Sequence, residues 1–227
     1  MTDDDQYAPM RRGFVEESAT AEEVDRVRAV AGPLTESARQ LVDAVIRSEV
    51  PLEELESVRK ELDQLVERLR AQEIPGGYGV RIDASGRHRA WGNPVVGARN
   101  AIAPPLVVHR EPDGSAWAET VLGAAYEGPP GMVHGGMSAL FLDQLVGEAA
   151  AAAGKPGMTG TLKLRYVAPT PLGPIRFEAK AERVDGIKAV IRGRSLVGGR
   201  VCVEAEAIMI LPKWARELED TTGVGDA

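Results

Sequence analysis

Two hydrophobic periods divide the chain. From Glu16 to about Ala71 apolar residues recur at every third or fourth position, the period of an amphipathic helix. From about Ala103 onward they recur at every second position, the period of a strand with one dry and one wetter face. In the helical part Pro33 and Pro51 are expected to open new helices, because proline is tolerated in a first turn and disrupts an interior. Three helices follow. The third carries Leu52, Leu55, Val58, Leu62, Leu65, Val66 and Leu69 on one stripe, which is expected to pack on the rest of the protein or on a second subunit.

In the second part Leu106, Val107 and Val108 read as a strand before a Pro112-Asp113-Gly114 turn, and Ala116 to Ala124 as the next. Thr161, Lys163 and Arg165 alternate with Leu162, Leu164 and Tyr166, and Ile175, Phe177, Ala179 and Ala181 alternate with charged residues. Val201, Val203, Ala205, Ala207 and Met209 share one face of a last strand. Asp185-Gly186 and Gly198-Gly199 predict tight turns, so the last three strands form a meander. Between the second and third strands lies GGMSALFLDQLVGEAAAAAG, helical by propensity, stopped at Gly154 and apolar nearly all round. An α+β arrangement follows, a long buried helix wrapped by a curved antiparallel sheet.

Charge changes the picture mainly by its distribution. Of the net charge of −7, residues 1–75 carry 18 acids against 10 bases, and the strand-rich remainder is near neutral. A nucleic-acid partner would need a basic face, so none is expected. No apolar run reaches the ~20 residues of a membrane span, so no membrane insertion is expected. The acidic MTDDDQYAPM start does not read as a secretory signal, and one cysteine, Cys202, fits a reducing cytoplasm. The expected organisation is a disordered acidic tail at 1–14, a helical region at 15–73, a Gly, Pro and Arg-rich connector at 74–100, the strand-rich domain at 101–213 and a C-terminal tail at 214–227.

Candidate chemistry centres on Asp143, a charge in the middle of an apolar helix. It is costly there unless paired, hydrated or functional. Gly136, Leu140, Asp143 and Gly147 share its face, and two glycines in a helix cost about 1 kcal/mol each, which a close ligand or second helix would justify. Nine residues before Asp143, His134-Gly135-Gly136 opens the helix, where unpartnered amides and the positive dipole end suit an oxygen that gains negative charge. Nine residues rise about 13 Å, so His134 and Asp143 of one chain cannot share one small substrate atom. If both act in one site they come from different subunits about a two-fold axis, which predicts a homodimer or a tetramer of paired dimers.

The segments YEGPPGMVHGGMSALFLDQLVG and MTGTLKLRYVAPTPLG, followed by a strand meander, resemble the PaaI-type hot-dog thioesterases, most closely the human thioesterase superfamily members 4 and 5. The resemblance covers roughly Ala116 to Leu211 and leaves residues 1–100 without a counterpart. It implies a hot-dog fold for 101–213 and hydrolysis of acyl-CoA, with CoA entering as part of the substrate and no separate cofactor. By resemblance His134 and the Gly135 amide, with Gly136, bind and polarise the thioester carbonyl. Asp143 acts as general base or nucleophile, and the Thr159 hydroxyl orients carboxylate or water. Some relatives carry Asn or Gln six residues before the histidine; Gly128 stands there in this chain, so no side-chain donor is assigned. Gly147 is a substrate-binding candidate, and Lys163 and Arg165 are candidates for the CoA phosphates.

Other readings fit less of the pattern. Ser138 with His134 and Asp143 lacks the GxSxG elbow of a serine hydrolase. His88 and His109 stand alone with no metal-ligand spacing, so no metal is expected. A non-catalytic hot-dog module for acyl binding or assembly is the alternative from another class, and a hot-dog dehydratase is a third.

Overall fold

A computed structural model describes residue 10 and residues 13–216. Most of the two expected tails therefore lies outside the described residues. The element order is β1 (Val15–Glu16), α1 (Ala21–Arg47), α2 (Leu52–Arg70), β2 (Arg81–Ile82), β3 (His88–Arg89), β4 (His109–Arg110), β5 (Ser115–Leu122), α3 (Gly135–Ala152), β6 (Met158–Tyr166), β7 (Gly173–Asp185), β8 (Lys188–Val197) and β9 (Arg200–Ile210). β4 to β9 form one antiparallel sheet in the order β4-β5-β7-β8-β9-β6. α3 lies across its inner face, mainly against β7, β8 and β5. This is the hot-dog arrangement of an α+β protein.

The strand periods produce this sheet directly. Ile175, Phe177 and Ala179 of β7, Ala189 and Ile191 of β8, and Val203, Ala205, Ala207 and Met209 of β9 turn inward onto Phe141, Leu142, Leu145 and Val146 of α3. The two hairpin loops carry the turn chemistry expected of them. Gly198 and Gly199, both at positive φ, make a two-residue link from β8 to β9, and Gly186 at φ 55° starts the link from β7 to β8. Gly154, also at positive φ, follows the end of α3. One expected strand is not there: Leu106–Val108 is irregular, and the ladder at this edge is only His109–Arg110 against Ala116–Trp117. Leu106 instead gives its side chain to the core and its amide to the Val95 carbonyl (2.9 Å).

The outer face of the sheet is a charged ladder. Across β5, β7, β8, β9 and β6 the residues Glu119, Arg176, Glu178, Arg194, Glu204 and Arg165 alternate in sign and pair in sequence, except that Arg194 meets Glu204 by register alone. Arg176 also lies 4.4 Å over the Trp117 ring. Exposed pairs of this kind contribute little individually, about 0–1 kcal/mol each. Their main effect is to keep this face wet while the other is dry.

The helical region departs from expectation at Pro33. α1 runs unbroken through it from Ala21 to Arg47. Thr20 and Glu23 form a capping box at its start, so nucleation does not depend on the proline. The ~3 kcal/mol cost of an interior proline is offset by anchoring on both sides. Val24 and Thr35 are buried, and Arg39 Nε donates to the Ala103 carbonyl (2.7 Å). Pro51 does open a helix, as N-cap of α2. Among the described residues the α2 stripe is only partly covered: Val58 and Leu62 are half-buried and no α2 residue is fully buried.

The connector between α2 and β4 is mostly irregular but well anchored. Trp91, Val95 and Ala103 are buried, and Val95 and Leu106 belong to the same core as α3. Asp83 organises its tight turn, accepting from the Ser85 amide and hydroxyl, the Arg87 amide and Arg87 Nε. Burial alone would raise this carboxyl, but the Ser85 and Arg87 hydrogen bonds prevail and hold it down to about 2. A depressed carboxyl stabilises the fold above its unfolded value near 4 and loses that contribution as pH falls toward 2. Replacing Asp83 with asparagine should therefore narrow the gap in urea midpoint between pH 7 and pH 3 relative to the parent. An unchanged gap would exclude Asp83 from the acid response.

Candidate active site

Asp143 lies half-buried on the side of α3 that meets β6. The Thr159 hydroxyl, at the start of β6, donates to Asp143 Oδ1 at 2.8 Å. A β-bulge at Gly160, between the pairs Thr159–Met209 and Thr161–Ile208, sets Thr159 at that position. The pairing expected of these two residues is thus present within one chain.

The helix start carries the second group. His134 is the N-cap of α3, and its Nδ1 accepts from the Gly136 amide at 3.0 Å. A ring that accepts through Nδ1 carries its proton on Nε2 when neutral, so Nε2–H is the donor it can offer a ligand. The Gly136 amide is occupied by this cap, which corrects its expected place as a ligand donor. Among the described residues the Gly135 amide has no protein partner. What a side chain at 136 would meet is local: a Cβ there would lie 3.1 Å from His134 Nδ1, a tight contact with the capping ring. Gly128 is explained in the same way. A Cβ on it would sit 2.7 Å from the His134 Cα, so no side-chain donor fits at this position.

Tyr166, at the far end of β6, is a residue that sequence reasoning did not single out. Its hydroxyl donates to the Gly135 carbonyl at 2.8 Å, and its ring would be 3.3 Å from a Cβ on Gly135. β6 therefore touches both halves of the candidate site, with Thr159 on the carboxylate and Tyr166 on the helix start. Only alternation marked Tyr166 in the sequence, and alternation does not reveal a hydrogen bond 31 residues away.

Gly147 lies one turn beyond Asp143, and a Cβ on it would make only an ordinary 3.9 Å contact with Met209. Among the described residues nothing requires glycine there. Lys163 and Arg165 are not brought to the site. They alternate with Leu162 and Leu164, which pack on the core, so they project from the opposite face of β6, where Arg165 pairs with Glu204. Ser138 is fully buried and is not presented to substrate.

α3 also carries a polar cluster on its connector side. Glu148 is only 6% exposed and accepts from Arg110 Nε (2.7 Å) and from Gln144 Nε2 (2.7 Å). Asn93 extends the cluster, donating through Nδ2 to Gln144 Oε1 and accepting from the Val95 amide. The carboxylate that the apolar helix buries is thus Glu148, five residues after Asp143. Its partner lies 38 residues away in sequence, which no local spacing indicates. Among the described residues no group of three or more His, Cys, Asp or Glu could hold a metal ion, and no helix is long and apolar enough to cross a membrane.

Comparison with known proteins agrees with this architecture. The family model described as thioesterase superfamily matches residues 130–204, which span α3 and most of β6 to β9. A crystal structure of a thioesterase superfamily protein aligns at 35% identity with a TM-score of 0.73, covering 86% of this chain and 94% of that one. Residues 101–227 make up just over half of the chain, so that match takes in much of the N-terminal region as well. A phenylacetic acid degradation-related protein from Ralstonia eutropha JMP134 aligns at 25% identity over 46% of this chain and 83% of its own, TM-score 0.43. A Streptococcus pneumoniae thioesterase protein crystallised with coenzyme A aligns at 19% identity over 46% of this chain and 86% of its own, TM-score 0.44. With 35% identity sustained over nearly the whole of a relative, the chain belongs to the thioesterase superfamily.

Proposed function

We propose that the protein hydrolyses acyl-CoA thioesters to free acid and CoA at two equivalent sites in a homodimer. The observation that carries this is the Thr159–Asp143 hydrogen bond, which aims one carboxylate oxygen while leaving the other lone pairs for a water or for direct attack. His134 Nε2–H and the Gly135 amide of a second subunit supply the opposing half, polarising the thioester carbonyl and holding the oxyanion. A thiolate leaves readily enough that no serine or cysteine nucleophile is needed. In the base mechanism Asp143 takes a proton from water, the hydroxide adds to the carbonyl carbon, and the collapsing tetrahedral intermediate expels CoA thiolate, which recovers the proton. The closer likeness to superfamily members 4 and 5, a role in fatty acid metabolism and a cytoplasmic place belong to the same reading.

Complementation separates a shared site from a site within one chain. His134→Ala and Asp143→Asn variants are each expected to be nearly inactive in a thiol-release assay on an acyl-CoA panel. Mixed and allowed to exchange subunits, they should recover about a quarter of parental activity, because half the dimers are mixed and each has one intact site. Recovery of nothing, with exchange verified, would put the whole site in one subunit. A parent inactive on every chain length would remove the catalytic reading in favour of an acyl-binding module.

A further inference from the structure

The peptide between Gly135 and Gly136 is gripped at both of its polar ends. Its carbonyl oxygen accepts from the Tyr166 hydroxyl at 2.8 Å, and its N–H, the Gly136 amide, donates to His134 Nδ1 at 3.0 Å. The two bonds share one planar, conjugated unit. A donor at the oxygen polarises that unit and makes its N–H a better donor in turn. A continuous path therefore runs from the Tyr166 O–H, through one peptide, to the His134 ring.

The far end of this path is the group that faces the thioester in the function proposed above. With Nδ1 occupied as an acceptor, the neutral ring carries its proton on Nε2. The direction of that Nε2–H follows the peptide plane that holds Nδ1, so a tilted peptide swings the ring with it. The Gly135 amide, the second oxyanion donor, joins the same peptide at the Gly135 Cα and is carried along.

Local sequence does little to prevent such a tilt. Two consecutive glycines give this turn more backbone freedom than any other pair would. Tyr166 supplies the restraint from another element. It ends β6 opposite the fully buried Val203, and the next amide, that of Val167, donates to the Cys202 carbonyl at 2.9 Å. The side chain thus stands on a fixed strand end and ties the helix start to the sheet. Glycine at 135 leaves room for it, since a Cβ there would lie 3.3 Å from the Tyr166 ring and from its hydroxyl.

We infer that Tyr166 is a positioning residue: its hydroxyl, acting through the Gly135–Gly136 peptide, holds the His134 Nε2–H and the Gly135 amide where the thioester oxygen meets them. The inference rests on the enzymatic reading above. It also makes Tyr166 act in the chain that supplies His134, not in the chain that supplies Asp143.

In the parent homodimer Tyr166→Phe, which keeps the ring and removes the hydroxyl, should lower kcat on acyl-CoA about tenfold with KM unchanged. Mixed dimers locate the effect. When an Asp143→Asn chain pairs with a His134→Ala chain, the one intact site takes His134 from the first and Asp143 from the second. Tyr166→Phe added to the Asp143→Asn chain should slow the recovered thiol release about tenfold. Added to the His134→Ala chain it should cause no slowing, because that helix start serves no intact site. Equal slowing in both placements, as a general loss of structure would give, or slowing in neither, would overturn the inference. A second measurement needs no turnover. In the isotope-labelled full chain, Tyr166→Phe should move the Gly136 amide proton upfield, the direction of a weakened hydrogen bond, and leave the Gly186 amide of the β7–β8 turn in place. An unmoved Gly136 resonance would overturn the inference even in an active enzyme. A parent that releases no thiol would remove the enzymatic proposal while the Gly136 resonance still reads the path from Tyr166 to His134.

Discussion

Replacing Asp143 with asparagine should lower kcat on acyl-CoA by roughly 10³-fold, within the 10²–10⁴ range for loss of a positioned general base. The substitution keeps size and shape, and an amide can still accept from the Thr159 hydroxyl, so the local fold should hold. KM should move little, because in the proposed mechanism the carboxylate acts on water or on the carbonyl carbon rather than on the CoA moiety. Thr159→Ala should cost about tenfold less, since it leaves the carboxylate in place and removes only what aims it. Steady-state thiol release across an acyl-CoA panel, with sedimentation to verify that assembly is unchanged, supplies the measurement. An Asp143→Asn variant as fast as the parent would remove Asp143 from the chemistry and with it the mechanism.

The second large effect is on stability and lies on the other side of the same helix. Arg110→Met should destabilise the protein by about 3 kcal/mol, because it strips a charge partner from a carboxylate that is 6% exposed. The Arg110→Met/Glu148→Met double should recover much of the loss, since an apolar pair of similar volume avoids the desolvation penalty altogether. The exposed pair Arg47–Asp43 provides the contrast, and Arg47→Ala should change stability by no more than about 0.5 kcal/mol. Urea midpoints of the four proteins decide the matter. A cost for Arg110→Met no larger than that for Arg47→Ala would mean that the cluster at Glu148 is solvated in a way its burial does not suggest.

The two acids of α3 show how far local sequence carries an argument. Asp143 and Glu148 both interrupt an apolar helix, and only Asp143 is singled out from the sequence. The HGG turn upstream and the resemblance separate Asp143 as the chemical one. The contact that supports this choice, a threonine hydroxyl 16 residues away, is visible only when β6 is laid beside α3. Glu148 needed Arg110, from the edge strand β4, and Gln144, which Asn93 of the connector holds in turn, to be understood. Lys163 and Arg165 lie away from Asp143 for a reason the sequence already held: strand alternation sends them to the face opposite Leu162 and Leu164.

By itself the sequence determined the period-two strands, the turns at Gly186 and Gly198-Gly199, the extent and stop of α3, and the histidine-glycine turn that opens it. Each depends on local backbone preference or on the burial of one face, which neighbouring residues specify. Tertiary structure decided that α1 continues through Pro33, because anchors at Val24, Thr35 and Arg39 offset a local penalty. It decided that the Gly136 amide is taken up by His134, that Tyr166 reaches the helix start, and that the connector shares the core of α3 through Val95 and Leu106. These outcomes turn on contacts between residues far apart in the chain or on the exact angle of a ring. The apolar stripe of α2 belongs to both levels: its period is local, and among the described residues the fold leaves it without a fully buried member.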